Sequence, residues 1–145
     1  MKLESYELSV EDDIFLFFSV GRNGVLPKVI VFEPIAENIF NLAFGDLNIE
    51  TGEISDKSIS NNGDTKKIMA TVVKSIAIFL DKYPNAQVNF IGSTPSRTKL
   101  YLRIIVNYSQ DFQNKYLIFG IEEGKNISTE IDLTKDYSEF SIIKT

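Results

Sequence analysis

The segment that most constrains the fold is a nearly uninterrupted apolar run at residues 14–20, with the sequence IFLFFSV. Aromatic and β-branched residues at this density favour a strand, whose side chains alternate between the two faces of a sheet. Phe15 and Phe17 are therefore expected on one face and Phe18 on the other. One set belongs to the core. The other set, unless a helix covers it, forms an exposed apolar patch, which usually binds a partner.

Four strand-forming segments separated by short turns occupy the first third of the chain. They lie at residues 6–10, 14–20, 28–32 and 38–44, and the Arg-Asn-Gly sequence at residues 22–24 predicts a tight turn. This arrangement predicts an antiparallel meander of about four strands. The polar residues 45–63 predict a long loop with a short hairpin around Thr51 and Gly52.

Two helices are expected in the remainder of the chain. Apolar residues recur at helical spacing between Ile68 and Tyr83, and either Asn62 or Asp64 is a suitable N-cap for this helix. The second helix is predicted at about residues 95–108. Thr94 is its expected N-cap, and a proline at residue 95 suits the first helical position.

Strands alternate with these helices. They are predicted at residues 86–91, 114–121 and 136–143. The complete pattern predicts an α+β fold, in which an antiparallel meander is followed by helix, strand, helix and one or two C-terminal strands. The length of 145 residues predicts a single domain over residues 1–145.

The chain contains neither Cys nor His. The first absence excludes disulfides, thiolate metal sites and cysteine nucleophiles, and the second removes the usual general base at neutral pH. We therefore expect no cofactor, no metal and no catalytic residues, and an enzyme is less favoured than a binding domain. A start without a signal-type segment, together with no long apolar run, predicts a cytoplasmic protein that does not contact a membrane.

The strongest candidate site lies at the start of the second helix. A helix N-terminus presents free backbone N–H groups and partial positive charge, which attract phosphate or carboxylate groups. Alternatively, the hydroxyl groups only cap the helix and the cations are solvated. In the first interpretation, a phosphate-bearing ligand or a single-stranded nucleic acid binds a set of six residues: Gly92, Ser93, Thr94, Arg97, Lys99 and Arg103.

A secondary candidate comprises Asn62, Asp64 and Lys66 at the start of the first helix. Asp64 is either an N-cap or, if the two helix starts converge, a base or metal tether beside Arg97 in a small phosphate-handling enzyme. The net charge of −5 lowers the expectation of nucleic-acid binding. Three functions stay open: a binding or regulatory module that forms a homodimer, this enzyme, and a protein–protein interaction domain.

Three segments resemble an uncharacterised bacterial protein family: NLAFGD at residues 41–46, NNGDT at 61–65 and GSTPSRTKLY at 92–101. The family has no assigned activity, so the resemblance implies no mechanism and transfers no catalytic residues. The order of elements, a four-stranded meander followed by a helix, is also similar to the unit in Whirly, PUR-type and transcriptional coactivator single-strand DNA-binding proteins.

Overall fold

The computed structural model describes residues 4–55, 62–91, 95–111 and 116–145 of the chain. These residues form one sheet of nine strands with two helices, which confirms the predicted α+β class. The elements are β1 (Ser9–Glu11), β2 (Ile14–Gly21), β3 (Gly24–Ala36), β4 (Ile39–Leu47), β5 (Ile54–Ser55), α1 (Thr65–Lys82), β6 (Gln87–Phe90), α2 (Pro95–Asp111), β7 (Tyr116–Glu122), β8 (Ser128–Glu130) and β9 (Tyr137–Lys144).

The strands follow the order β1-β2-β3-β4-β6-β9-β7-β8, and β5 pairs with β4. The predicted meander is present as β1 to β4, and the predicted hairpin at Gly52 joins β4 to β5. β4 and β6 are paired in parallel, whereas the other pairs among the described strands are antiparallel. The pattern does not predict β8, because its three residues, Ser-Thr-Glu, show no apolar alternation.

Both helices contact the same face of the sheet. Phe79 of α1 stacks on Phe32 of β3 with 4.1 Å between ring centroids, and Tyr101 of α2 meets the edge of Phe90 on β6 at 4.9 Å. Register places Phe15 and Phe17 of β2 on this face, as the alternation predicts. The core therefore lies between one face of the sheet and the two helices.

The turn between β1 and β2 is fixed to the end of α1. Asp13 has a φ of +66° and accepts hydrogen bonds from Tyr83 Oη at 2.7 Å and from Lys82 Nζ at 2.9 Å. Burial opposes ionisation of the Asp13 carboxyl, but the hydrogen bonds from Tyr83 and Lys82 outweigh it and hold its pKa below the ordinary value. These contacts position β1 at the edge of the sheet.

Candidate functional site

The primary predicted site, at the start of α2, is only partly within the described residues. Gly92, Ser93 and Thr94 lie outside them, as does the side chain of Arg97. Lys99 Nζ lies 3.4 Å from Asp136 Oδ1 in an exposed ion pair, and Arg103 is exposed. Anion binding at this helix start therefore stays a prediction.

The secondary candidate residues are placed differently from the sequence prediction. Asp64 does occupy the N-cap position of α1, and its carbonyl oxygen accepts from the backbone N–H of Ile68 at 2.9 Å. Its side chain makes no capping hydrogen bond to the backbone of α1. Instead, Asp64 Oδ2 accepts from Tyr6 Oη and Ser19 Oγ, each at 2.5 Å. Lys66 is exposed.

Asn62 joins the start of α1 to the β2–β3 hairpin. It is buried, and its Nδ2 donates to Ser19 Oγ and to the carbonyl oxygen of Gly24, each at 3.0 Å. Its Oδ1 accepts from the backbone N–H of Asn23 at 2.6 Å. Together with Asp64 it forms an internal polar cluster, in which Asp64 Oδ1 is buried and has no hydrogen-bond partner among the described residues. The cluster connects Tyr6 and the β2–β3 hairpin to the start of α1.

The hydroxyl of Tyr6 gives this cluster a testable contribution to stability. It donates to Asp64 and accepts from the backbone N–H of Val20 at 3.0 Å. We expect Tyr6→Phe to lower the free energy of unfolding by about 1 kcal/mol, the net value of such hydrogen bonds at a partly exposed site. Urea unfolding at neutral pH measures this loss.

The same loss should depend on pH in a defined direction. Burial, and then the hydrogen bond to Asp64, raise the pKa of Tyr6 above its ordinary value of 10.0. The stabilisation by the hydroxyl is therefore complete below pH 10.0 and is lost as the pH rises through the raised folded pKa. The difference between wild type and Tyr6→Phe should shrink above pH 10.0, and a difference that grows there would contradict this assignment.

The described residues offer neither a cluster of metal ligands nor a helix able to cross a membrane. Across residues 4–55, 62–91, 95–111 and 116–145, no three Asp or Glu side chains gather closely enough to hold a metal ion. Neither described helix carries an apolar stretch long enough to cross a bilayer.

The most unusual surface is the sheet face opposite the helices, over β2 and β3. Cross-strand register places eight apolar side chains there, in four directly paired positions. We call this surface the open face, because no described helix packs on it. The pairs are Ile14 with Val31, Leu16 with Val29, Phe18 with Pro27, and Val20 with Val25.

Exposure on the open face is lowest at Leu16 and Val29 and is higher toward both ends of β2, where Ile14 is 45% exposed at the start. Toward the β2–β3 turn, Phe18 is 46% exposed, Val20 58% and Val25 62%. At the other end of β2 the sheet encloses a groove of about 560 Å³. Its walls come from β1, β2 and β3, from Leu47 of β4 and from Ile54 of β5, and Glu11 and Asp12 lie on its rim.

A polar stripe borders the open face at the centre of the sheet. Gln87 Nε2 donates to Asn89 Oδ1 at 2.8 Å, and Ser141 Oγ donates to the same oxygen at 2.8 Å. Register places these three side chains on the side of the sheet opposite the helices. The stripe separates the open face from a second apolar group on the same side of the sheet, where Leu117 of β7 is 39% exposed and pairs with Ile143 of β9.

The open face has no positive charge of its own. Lys28 and Lys144 are the basic residues of the described strands, and both lie on the helix side, paired with Asp46 and Asp81 respectively. Strand positions on the opposite side carry carboxylates instead, such as Glu33 of β3. Single-strand nucleic-acid binders combine stacking aromatics with cations that neutralise phosphates. The described strand positions beside Phe18 supply no such cation, and Arg22 in the β2–β3 turn has its guanidinium beside Gly63 at the start of α1.

Comparison with known proteins adds a family and no activity. A family model matches residues 2–145, nearly the whole chain. The chain belongs to DUF6934, a family of unknown function. The predicted resemblance to a family without assigned activity is thereby confirmed. No curated protein and no solved structure matches this DUF6934 chain, so its similarity to the Whirly and PUR-type unit stays a prediction.

Proposed function

We propose that this DUF6934 protein is a non-enzymatic protein-binding domain and that the open face is its binding surface. The proposal rests mainly on the eight paired apolar positions of β2 and β3. They lie on the side of the sheet that faces away from both helices. In an antiparallel sheet with one face in solvent, outward positions are ordinarily polar. Exposure of these apolar side chains to water is unfavourable, and a bound partner would remove that unfavourable exposure.

The exposed area is large enough to matter. Ile14, Phe18, Val20 and Val25 together expose on the order of 400 Å² of residue surface, within the range of the largest apolar patch on a typical monomer, a patch that is often functional. Burial of that area corresponds to about 10 kcal/mol of gross hydrophobic free energy, before the cost of association is subtracted. A protein partner of matching shape can therefore bind there with useful affinity.

The edges of the sheet are less suitable for binding. Strands β1 and β8 lie at the two ends of the strand order, and each is three residues long. Short edge strands limit strand addition by another chain. The open face, rather than an edge, therefore offers the larger contact.

Enzymatic and nucleic-acid functions have weaker support. Asp64, the proposed base, already accepts two short hydroxyl hydrogen bonds at Oδ2. The described strands present no Lys or Arg on the open face to neutralise phosphates. Anion binding at the start of α2 stays a second proposal, supported by the exposed Arg103 and the surface position of Lys99.

Capture of proteins on immobilised variants tests the function. We expect Phe18→Glu to reduce retention of open-face partners at least tenfold, because it places a charge in the apolar contact. Ile127→Glu is the matched control, since Ile127 is 73% exposed in the loop between β7 and β8. Partners retained equally by both variants would contradict the proposal. Retention of a nucleic acid or a phosphate compound, unaffected by Phe18→Glu, would favour the α2 site instead.

A further inference from the structure

We infer that the occupant of the open face is a second copy of this chain, related to the first by a two-fold axis. This inference depends on the proposed function, that the open face binds protein. A two-fold interface requires one surface to carry both the projecting part and the cavity that receives it, because each copy presents the same patch. The open face carries both.

The projecting part and the cavity lie at opposite ends of β2. Phe18, Val20 and Val25 project near the β2–β3 turn, and each is about half exposed or more. The groove of about 560 Å³ lies at the start of β2, around Ile14 and Leu16. Its volume is within the range of about 300–1,000 Å³ that takes a drug-sized molecule, so it has room for several apolar side chains.

A single register brings these parts together. If β2 of one copy runs antiparallel to β2 of the other across the facing sheets, with the axis beside Phe17, Phe18 meets Leu16 of the second copy. In the same register Val20 meets Ile14 of the second copy. Ile14 and Val20 are about 20 Å apart along the strand, which is a normal length for the core of a sheet-on-sheet contact.

Charge complementarity supports the same register. It places the β2–β3 turn of one copy next to the groove rim of the other, where Glu11 and Asp12 are exposed. The turn carries the exposed Arg22, whose guanidinium lies beside Gly63 at the start of α1 and in the dimer turns from there to the rim. The two-fold axis makes this pairing occur twice. Each turn contributes one positive charge against the two carboxylates of the facing rim, so the pairing offsets part of the rim's negative charge in a chain whose net charge is −5.

The available area is consistent with a stable dimer. A standard interface buries about 800 Å² on each partner. The exposed side chains of the open face supply about half of this area, on the order of 400 Å². The groove walls, including Leu47 and Ile54, and the charged rim supply further contact once the second copy enters the groove.

Sedimentation velocity of purified variants tests the dimer. We expect the wild type to be a dimer at micromolar concentration, with Phe18→Glu, Arg22→Glu and Glu11→Arg each dimerising at least tenfold more weakly. Glu11 is chosen over Asp12 because Asp12 has a φ of +50°, where a long side chain adds backbone strain. Ile127→Glu should dimerise like the wild type, and circular dichroism should show all variants folded.

Mixing the two charge variants distinguishes this register from other contacts. Arg22→Glu and Glu11→Arg each place like charges at the rim of their own dimer, whereas a mixed dimer pairs opposite charges at both rims. Equimolar mixing should therefore restore dimers from two weakly associating samples. Dimers that resist Phe18→Glu, or charge variants that do not complement each other, would overturn the inference.

A wild type that stays monomeric would also overturn the dimer inference. The protein-capture experiment then tests the proposed function separately. If the monomer retains another protein that Phe18→Glu loses, the open face is a binding surface for a different partner. If no retained protein depends on Phe18, the proposed function fails together with the dimer.

Discussion

Replacement of Phe79 by alanine is expected to lower the free energy of unfolding by about 3–5 kcal/mol, as for other buried Phe-to-Ala changes. Phe79 is 1% exposed and stacks on Phe32. It also meets the edge of Phe40 at 4.9 Å and lies 5.0 Å from the ring of Tyr83. A cavity at this point would remove the main contact between α1 and the meander.

Urea unfolding followed by circular dichroism measures this effect at one fixed protein concentration, because dimerisation would make stability depend on concentration. Ile78→Ala is the matched control on the same helix, since Ile78 is 37% exposed. It should change the free energy of unfolding by about 0.5 kcal/mol or less, as surface substitutions do. Equal losses for the two variants would contradict the assignment of Phe79 to the centre of the core.

Gly21→Ala is expected to lower the free energy of unfolding by about 3 kcal/mol or more, a large value for one added methyl group. A Cβ atom at residue 21 would lie 1.9 Å from the backbone carbonyl oxygen of Asn62. That oxygen also accepts a hydrogen bond from the backbone N–H of Arg22 at 3.2 Å. The closest clash is with a backbone carbonyl group, which cannot rotate away as a side chain can, so the start of α1 or the β2–β3 hairpin has to move.

Gly24→Ala separates this steric effect from backbone strain. Gly24 has a φ of +91°, but a Cβ there would meet no atom within 4 Å. Strain alone should lower the free energy of unfolding by about 1–2 kcal/mol. If Gly21→Ala is no more destabilising than Gly24→Ala, the close approach of Asn62 to β2 is not maintained in solution.

Local patterns predicted most of the elements because each pattern has a local physical cause. Alternation along β2 placed Phe15 and Phe17 opposite Phe18. The helical spacing of apolar residues from Ile68 to Tyr83 found α1, which begins three residues earlier, at Thr65, and ends at Lys82. The same alternation predicted that Phe18 would form a partner surface if no helix covered it. The sequence left open which face the helices cover, and the ring contacts of Phe79 and Tyr101 with the sheet place them on the other face.

The remaining features depend on contacts between distant parts of the chain. Asp64 occupies the N-cap position that its local preference predicts, but its side chain accepts from the hydroxyl groups of Tyr6 and Ser19, which are 58 and 45 residues away in sequence. The insertion of β9 between β6 and β7 has no local signal either. The requirement for glycine at residue 21 likewise follows from the approach of Asn62.

Hydroxyl-radical footprinting tests the central claim most directly, because it reports which side chains a bound protein shields from solvent. The chain is compared alone at high dilution and in its protein-bound state, either as the concentrated dimer or with a captured partner. We predict that Ile14, Leu16 and Phe18 lose reactivity on binding, whereas Ile78 on α1 and the exposed Ile127 keep theirs. Protection of Ile78 with unchanged reactivity at Phe18 would show that the partner binds the helical side, and would contradict the open face as the binding surface.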